Sequence, residues 1–143
     1  MNHIESSYSL RLPAQISEIR HIEEFLYSIS IISQLGQEKV HTLLLCIIEA
    51  YTNAVLHGNA YNPNQVIDII IEVLDDKTLS ISIINEGPTF SLEKAKDKAK
   101  VSKEGNEGGR GIFLMDDFSD TLQVFSDNKK TTVTMTFSLL LST

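Results

Sequence analysis

The 143-residue sequence has one cysteine, no tryptophan and three prolines. The single cysteine, Cys46, excludes an internal disulfide and is typical of a reduced thiol used as a small hydrophobic side chain. The longest apolar run, Leu43–Ile48, is far shorter than the roughly 20 residues that a membrane-spanning helix needs. The segment Met1–Leu12 lacks the basic and apolar regions of a secretory signal. These absences predict a cytoplasmic protein with no membrane association.

Positive charge is also scarce. Lysine and arginine number 12 against 19 aspartate and glutamate residues, which gives a formal net charge of −7 at pH 7. This excess of negative charge repels phosphates and argues against direct nucleic acid binding. The length suffices for one domain with a buried core, and the sequence has no internal repeat or low-complexity linker. We therefore expect a single domain over residues 1–143.

The hydrophobic pattern changes from a helical period to a period of two along the chain. The helical period predicts two long helices, Gln15 to about Leu35 and Glu38 to about His57, with Gly36 as a C-cap signal between them. A short helix is predicted over Gly111–Phe118. The alternating segments predict five strands: Ser7–Leu12, Val66–Leu74, Leu79–Asn85, Thr121–Ser126 and Thr131–Leu141. This order predicts an α+β fold, with helices on one face of a mixed, largely antiparallel sheet.

A carboxylate and an amide stand on an otherwise apolar helix. Glu49 and Asn53 are four residues apart, so they share one helical face, with His57 one turn further along. Their neighbours are apolar, and glutamate and asparagine oxygens are ligands that Mg²⁺ accepts alongside phosphates. A polar edge turned to solvent is the alternative for the pair. For His57, a capping or packing role is the simpler interpretation.

A second polar position ends a predicted strand. The alternation of Leu79–Asn85 places Asn85 on the same face as the core isoleucines. Gly87 follows in the sequence NEGPTF and permits a sharp turn or a close backbone approach to a ligand. The alternative is an ordinary transition from strand to loop.

A third segment, NEGGRGIFLM at Asn106–Met115, is rich in glycine and precedes an apolar helix. Free backbone N–H groups, a helix N-terminus and Arg110 together form an anion site. A flexible loop before a helix is the alternative. The preceding connection, Glu86–Gly109, is long enough to predict a functional lid or disorder, and its lysines also fit a solvated helix face. With phosphates at Gly108–Gly111, Mg²⁺ near Asn53 and a base near Asn85, the three segments predict a nucleotide pocket.

These segments resemble the sequence boxes of a known family. EAYTNAVLHGN resembles the N box of the GHKL ATPases, NEGPTF the G1 box, and GGRGIFLM the G2 box. The most similar subtype is the bacterial anti-sigma factor serine kinase of the RsbW and SpoIIAB kind. The resemblance covers about Cys46 to Phe137 and implies a Bergerat-type α/β sandwich that binds ATP and Mg²⁺.

The resemblance also implies roles for single residues. Glu49 resembles the general base and Asn53 the Mg²⁺ ligand. The other nucleotide-binding positions implied are Asn85, Gly87, Gly108, Gly109, Gly111 and Thr131, and the anion site described above adds Arg110. The sequence departs from the family pattern at Asn85, where aspartate is usual, so the acceptor for the adenine amino group is uncharged and weaker. It also departs at Lys130, where glycine commonly precedes the last-strand threonine.

The function that the resemblance implies is an ATP- and Mg²⁺-dependent serine/threonine protein kinase. It would phosphorylate a STAS-domain anti-anti-sigma factor and sequester a sigma factor, as a homodimer. Two alternatives stay open at this point. One is a nucleotide-sensing module that switches partners without catalysis, which the Asn85 departure motivates. The other is a switch kinase that binds no sigma factor, which the Gly-x-x-Phe ending of the G1 box weakly disfavours.

Overall fold

A five-stranded sheet organises the described part of the protein. The computed structural model describes residues 3–58, 64–86, 115–127 and 130–139. The strands lie in the order β1-β2-β3-β5-β4 and every pairing between them is antiparallel. Their bounds are β1 Ile4–Pro13, β2 Val66–Leu74, β3 Thr78–Glu86, β4 Thr121–Asp127 and β5 Lys130–Ser138. The predicted α+β class is confirmed, and the described sheet is antiparallel throughout, whereas the prediction was a mixed, largely antiparallel sheet.

The alternating sequence explains which face of the sheet is buried. Ile67, Ile69, Ile71 and Val73 of β2 point into the core and are at most 2% exposed. The intervening residues of β2 through Leu74 are only half-buried. The same alternation holds in β3 and β5, so the side chains on one face pack together across neighbouring strands. The hydrophobic pattern therefore fixes the register of the sheet.

The first predicted helix is interrupted, so its prediction was wrong over part of Gln15 to about Leu35. A 3₁₀ turn at Ile16–Glu18 precedes α1 (Ile19–Ser28), and α2 (Ser30–Ser33) follows a break at Ile29. The Ser28 hydroxyl donates to the Phe25 carbonyl at 2.6 Å, the acceptor that a continuous helix would offer to the Ile29 N–H. That N–H bonds Leu26 instead, at 3.2 Å. A serine side chain thus competes with the helix backbone.

The long helix α3 spans Gln37–Asn53 and follows Gly36. Gly36 has a φ of 96°, a left-handed conformation that disfavours other residues, and it precedes α3 instead of capping the preceding helix. The α3 residues Val40, Leu43, Leu44, Cys46, Ile47, Ala50 and Tyr51 are buried in the core. A π-helical turn, Ala54–Gly58, follows α3 directly and packs against β3. Of the predicted helix Gly111–Phe118, residues 115–118 are described and are helical.

The stretch Gln37–Leu56 is long and apolar enough, by length and composition alone, to cross a membrane. The core helix of a soluble protein meets the same criterion. Half of the most apolar part of this stretch is buried inside the structure. Its apolar residues are therefore explained by packing against the sheet.

The burial of Cys46 gives a first testable expectation. Burial, with a smaller effect from the charge of Glu49, raises the pKa of the thiol to about 11. Because the thiolate is the reactive form, we expect a disulfide reagent to label Cys46 at least about a hundredfold more slowly in the native protein than in denaturant. Stopped-flow or manual labelling in both conditions measures the two rates. Similar rates would show that α3 does not bury this thiol.

Candidate functional site

Polar side chains enter the buried face of the sheet at one end of β3 and β5. Asn85 and Thr131 are direct cross-strand partners, and Asn85 also pairs with Ile67 of β2. Asn85 is 4% exposed and Thr131 1% exposed. The next inward positions are Ile83 and Val133, both apolar and buried. The predicted inward orientation of Asn85 and Thr131 is confirmed, while their binding roles stay predictions.

The hydroxyl of Thr131 is buried without a hydrogen-bond partner in the described part of the chain. Leaving a buried hydroxyl unpaired costs on the order of 1–3 kcal/mol, and native proteins seldom leave such groups without a reason. Four hydroxyls elsewhere on the sheet hydrogen-bond one another. Ser82 and Thr134 hydrogen-bond at 3.0 Å, and Thr121 and Thr136 at 2.5 Å. Within the described residues, the Thr131 hydroxyl is therefore free to hydrogen-bond a ligand.

The side-chain amide of Asn85 is oriented by the backbone next to it. Its Nδ2 donates to the main-chain carbonyl of Glu86 at 3.3 Å. The reverse orientation would place two acceptor oxygens against each other, so the bond assigns Oδ1 as the acceptor that remains for a ligand. An uncharged acceptor beside the Thr131 hydroxyl is suited to the amino group of a heteroaromatic base.

The helix side of the site is formed by the end of α3. Asn53, the last residue of α3, is 8% exposed. This burial excludes a solvent-facing position for its side chain. Glu49 lies one turn earlier and is half-buried, and burial raises the pKa of its carboxyl group. A partly desolvated carboxylate with a raised pKa is a candidate for proton transfer.

The π-helical turn after Asn53 connects this helix end to the sheet. Such turns are rare and are found frequently at functional sites. Here the turn Ala54–Gly58 packs against β3, the strand that carries Asn85. Elements bearing Glu49, Asn53, Asn85 and Thr131 thus meet on the covered face of the sheet.

The remaining predicted positions lie outside the described residues. They are Gly87, Gly108, Gly109, Arg110 and Gly111, together with the side chain of His57. Across the described ranges, no three histidine, cysteine, aspartate or glutamate side chains come together as a metal site. Mg²⁺ in nucleotide sites takes one or two protein oxygens and completes its shell with phosphates and water. The buried amide of Asn53 fits that role.

The sequence interpretation did not single out Tyr51, which lies between Glu49 and Asn53. Its side chain is fully buried and its hydroxyl contacts main-chain atoms of residues 13 and 15. A signal was present, because a tyrosine in an apolar helix needs a hydrogen-bond partner for its hydroxyl when it is buried. The identity of that partner depends on the fold.

Replacing Thr131 by valine tests the unpaired hydroxyl. We expect Thr131→Val to raise the free energy of unfolding of the ligand-free protein by about 1 kcal/mol, because it removes a buried group without a partner. The matched control is Thr134→Val on the same strand, which removes a paired hydroxyl and should give no gain. Chemical denaturation of both variants measures the difference. A loss of stability in Thr131→Val equal to that of the control would contradict the assignment.

The sequence of this chain matches those of known proteins. A family model described as a histidine kinase-like ATPase domain matches residues 12–137. The serine-protein kinase RsbW of Staphylococcus aureus strain JH9 is 29% identical, in an alignment that covers 95% of this chain and 89% of RsbW. RsbW of strain Newman gives the same values.

Two solved structures share the fold. One is the histidine kinase domain of the Erythrobacter litoralis EL346 blue-light activated histidine kinase, with a TM-score of 0.56, 18% identity and 90% of this chain covered. The other contains the RsbU and RsbW domains of a Mycobacterium tuberculosis protein, with a TM-score of 0.61, 18% identity and 93% covered. This chain spans 62% and 32% of those two chains, respectively. On the match over residues 12–137, the chain belongs to the histidine kinase-like ATPase domain family.

Proposed function

We propose that this protein is an ATP- and Mg²⁺-dependent serine/threonine protein kinase that acts as an anti-sigma factor. The observation that carries the proposal is the buried Thr131 hydroxyl, which lies directly beside Asn85 and has no partner among residues 3–58, 64–86, 115–127 and 130–139. A hydroxyl and an amide acceptor at the edge of an apolar core fit the polar edge of a purine. Family membership makes ATP the expected nucleotide, and the relatives named serine-protein kinase support transfer to a hydroxyl.

Phosphoryl transfer depends mainly on positioning and charge neutralisation. In the proposed mechanism, Glu49 accepts the proton of the attacking serine or threonine hydroxyl. Asn53 would hold Mg²⁺, which when bound neutralises charge on the phosphates. Backbone N–H groups of Gly108–Gly111 and the guanidinium of Arg110 would bind phosphate oxygens. Asn85 Oδ1 would accept a hydrogen bond from the amino group of the base, with Thr131 beside it.

The proposed partners follow from the RsbW-like sequence. The phosphate acceptor is a STAS-domain anti-anti-sigma factor, and phosphorylation adds charge that weakens its complex with the kinase. The released kinase then binds a sigma factor. We propose that it works as a homodimer in the cytoplasm, without direct contact to nucleic acid or membrane.

A second function is favoured by Asn85 alone. A nucleotide-sensing module could exchange partners on binding ATP without transferring its phosphate, and a neutral acceptor in place of a carboxylate fits weaker binding of that kind. The position of Glu49 counts against this alternative, because a sensor has no need of a half-buried carboxylate with a raised pKa.

The deciding experiment combines transfer with binding. The purified protein is incubated with γ-labelled ATP, Mg²⁺ and a STAS-domain protein, and label on a serine or threonine is measured. A STAS variant with its acceptor changed to alanine is the control. We expect transfer that requires Mg²⁺ and the acceptor residue. If calorimetry shows ATP binding but no phosphate is transferred, the nucleotide-sensing function replaces the kinase function. If no nucleotide binds, both proposed functions are overturned.

A further inference from the structure

The hydroxyl of Tyr51 joins α3 to the chain segment that leaves β1. It donates to the main-chain carbonyls of Pro13 at 2.6 Å and Gln15 at 2.9 Å, which share its one hydrogen. It also accepts from the N–H of Gln15 at 3.3 Å. The ring is 0% exposed. Burial, with a smaller contribution from Glu18, raises the pKa of this hydroxyl, and the Gln15 bond opposes the rise. Tyr51 therefore stays a donor at neutral pH.

The segment that Tyr51 holds is itself fixed to one end of the sheet. Pro13 pairs with Val66 at the start of β2, and the N–H of Ala14 donates to the carbonyl of Gln65 at 3.0 Å. The adjacent position of β2 is Ile67, which is the cross-strand partner of Asn85. Tyr51 thus anchors α3 at the same end of the sheet that presents Asn85 and Thr131.

Helix geometry shows what this anchor controls. Successive α-helical residues are rotated by about 100°, so Tyr51 lies about 200° from both Glu49 and Asn53. The anchor is therefore on the far side of α3 from the two polar side chains. Apolar burial of the aliphatic side chains of α3 is not directional, whereas the three hydrogen bonds to the Tyr51 hydroxyl are directional and so specify the rotation of the helix more narrowly.

We infer that Tyr51 is a positioning residue, whose hydroxyl sets the rotation of α3 and holds Glu49 and Asn53 against the sheet end that carries Asn85 and Thr131. The consequence for ATP rests on the proposed function. The inferred orientation of α3 does not rest on the proposed function, and it can be tested without any nucleotide. In this assignment Tyr51 contacts no substrate and acts only through the positions of Glu49 and Asn53.

The test compares Tyr51→Phe with Ile71→Val. The first change removes only the hydroxyl. The second removes one methyl group from a fully buried residue two inward positions further along β2 from Ile67, and serves as a control for destabilisation as such. Melting temperatures establish how far each variant is destabilised. Carboxyl NMR titration then gives the pKa of Glu49, and the side-chain amide resonances of Asn53 report its surroundings.

We expect Tyr51→Phe to move the Glu49 pKa toward its ordinary value and to shift the Asn53 resonances, while Ile71→Val changes neither. Affinity for Mg²⁺·ATP should fall by about tenfold in Tyr51→Phe only, as displacement of positioned groups would produce. Unchanged Glu49 pKa and Asn53 resonances in Tyr51→Phe would overturn the inference. If the wild-type protein fails to bind nucleotide, the proposed function falls, and the two NMR readouts still decide the role of Tyr51.

Discussion

Replacing Glu49 by glutamine is expected to slow phosphoryl transfer by about 10²–10⁴-fold while ATP binding is retained, the usual range for loss of a general base. Glutamine has nearly the shape of glutamate but cannot accept the proton of the attacking hydroxyl. Single-turnover transfer to the STAS-domain acceptor measures the rate, and calorimetry measures ATP affinity. The matched control is Glu38→Gln, an exposed carboxylate in the first turn of the same helix, which should leave both unchanged.

The raised pKa of Glu49 gives this prediction a pH dependence. Since burial raises the pKa in the folded protein above that of the unfolded chain, the folded state holds more protons between the two values. The free energy of unfolding contributed by this group therefore falls as pH rises through that window. At neutral pH the Glu49→Gln protein should be at least as stable as wild type, and its advantage should disappear at acidic pH.

Two outcomes would contradict the assignment of Glu49. A Glu49→Gln protein that transfers phosphate at the wild-type rate would exclude it as the base. A variant that is less stable than wild type at neutral pH, with the deficit growing as pH rises, would show that the carboxylate is stabilised in the fold by a partner. Thermal melts across the acidic to neutral range distinguish these cases from the expected one.

Replacing Asn53 by alanine should remove most of the contribution of Mg²⁺ to ATP affinity. The variant loses one oxygen ligand, and we expect the affinity for Mg²⁺·ATP to fall by roughly 10–100-fold, a range typical of perturbed metal sites. Affinity for ATP in the presence of a chelator should stay close to that of wild type. Calorimetric titrations with and without Mg²⁺ separate the two values.

Asn53→Asp is the matched variant, because it keeps an oxygen at the same position and adds a charge. Mg²⁺-dependent binding should be retained in Asn53→Asp and lost in Asn53→Ala. Equal losses with and without Mg²⁺ in the alanine variant would show that Asn53 supports the fold of the pocket instead of the metal. Because Asn53 is buried, a purely structural role is the alternative that this comparison must exclude.

The strands were predictable because a physical constraint repeats along them. One face of the sheet is buried, so the alternation of apolar residues in β2 and β3 survives at every second position. The same parity predicts that Asn85 and Thr131 point inward, which their burial confirms. The bounds of β2 coincide with the prediction, and those of β3 differ by one residue at each end.

The features that the sequence did not reveal depend on single contacts. The break between α1 and α2 follows from one serine hydroxyl that bonds the Phe25 carbonyl, and the apolar pattern continues across it. The partners of Tyr51 are 36 and 38 residues away along the chain, beyond any local pattern. Whether a described side chain reaches the Thr131 hydroxyl depends on how neighbouring elements pack, and none does within residues 3–58, 64–86, 115–127 and 130–139.

The Thr131 hydroxyl also connects ligand binding at this site to the stability of the folded protein. In the part of the chain that the structure describes, the buried Thr131 hydroxyl has no partner, so a ligand that pairs with it would add to the stability of the fold as well as to its own affinity. Any ligand specific for the folded state stabilises that state by about 2.7 kcal/mol at a hundred times its dissociation constant. A cell depleted of that ligand would then hold a domain that unfolds and is degraded more readily, so the abundance of the protein would itself follow the supply of the ligand.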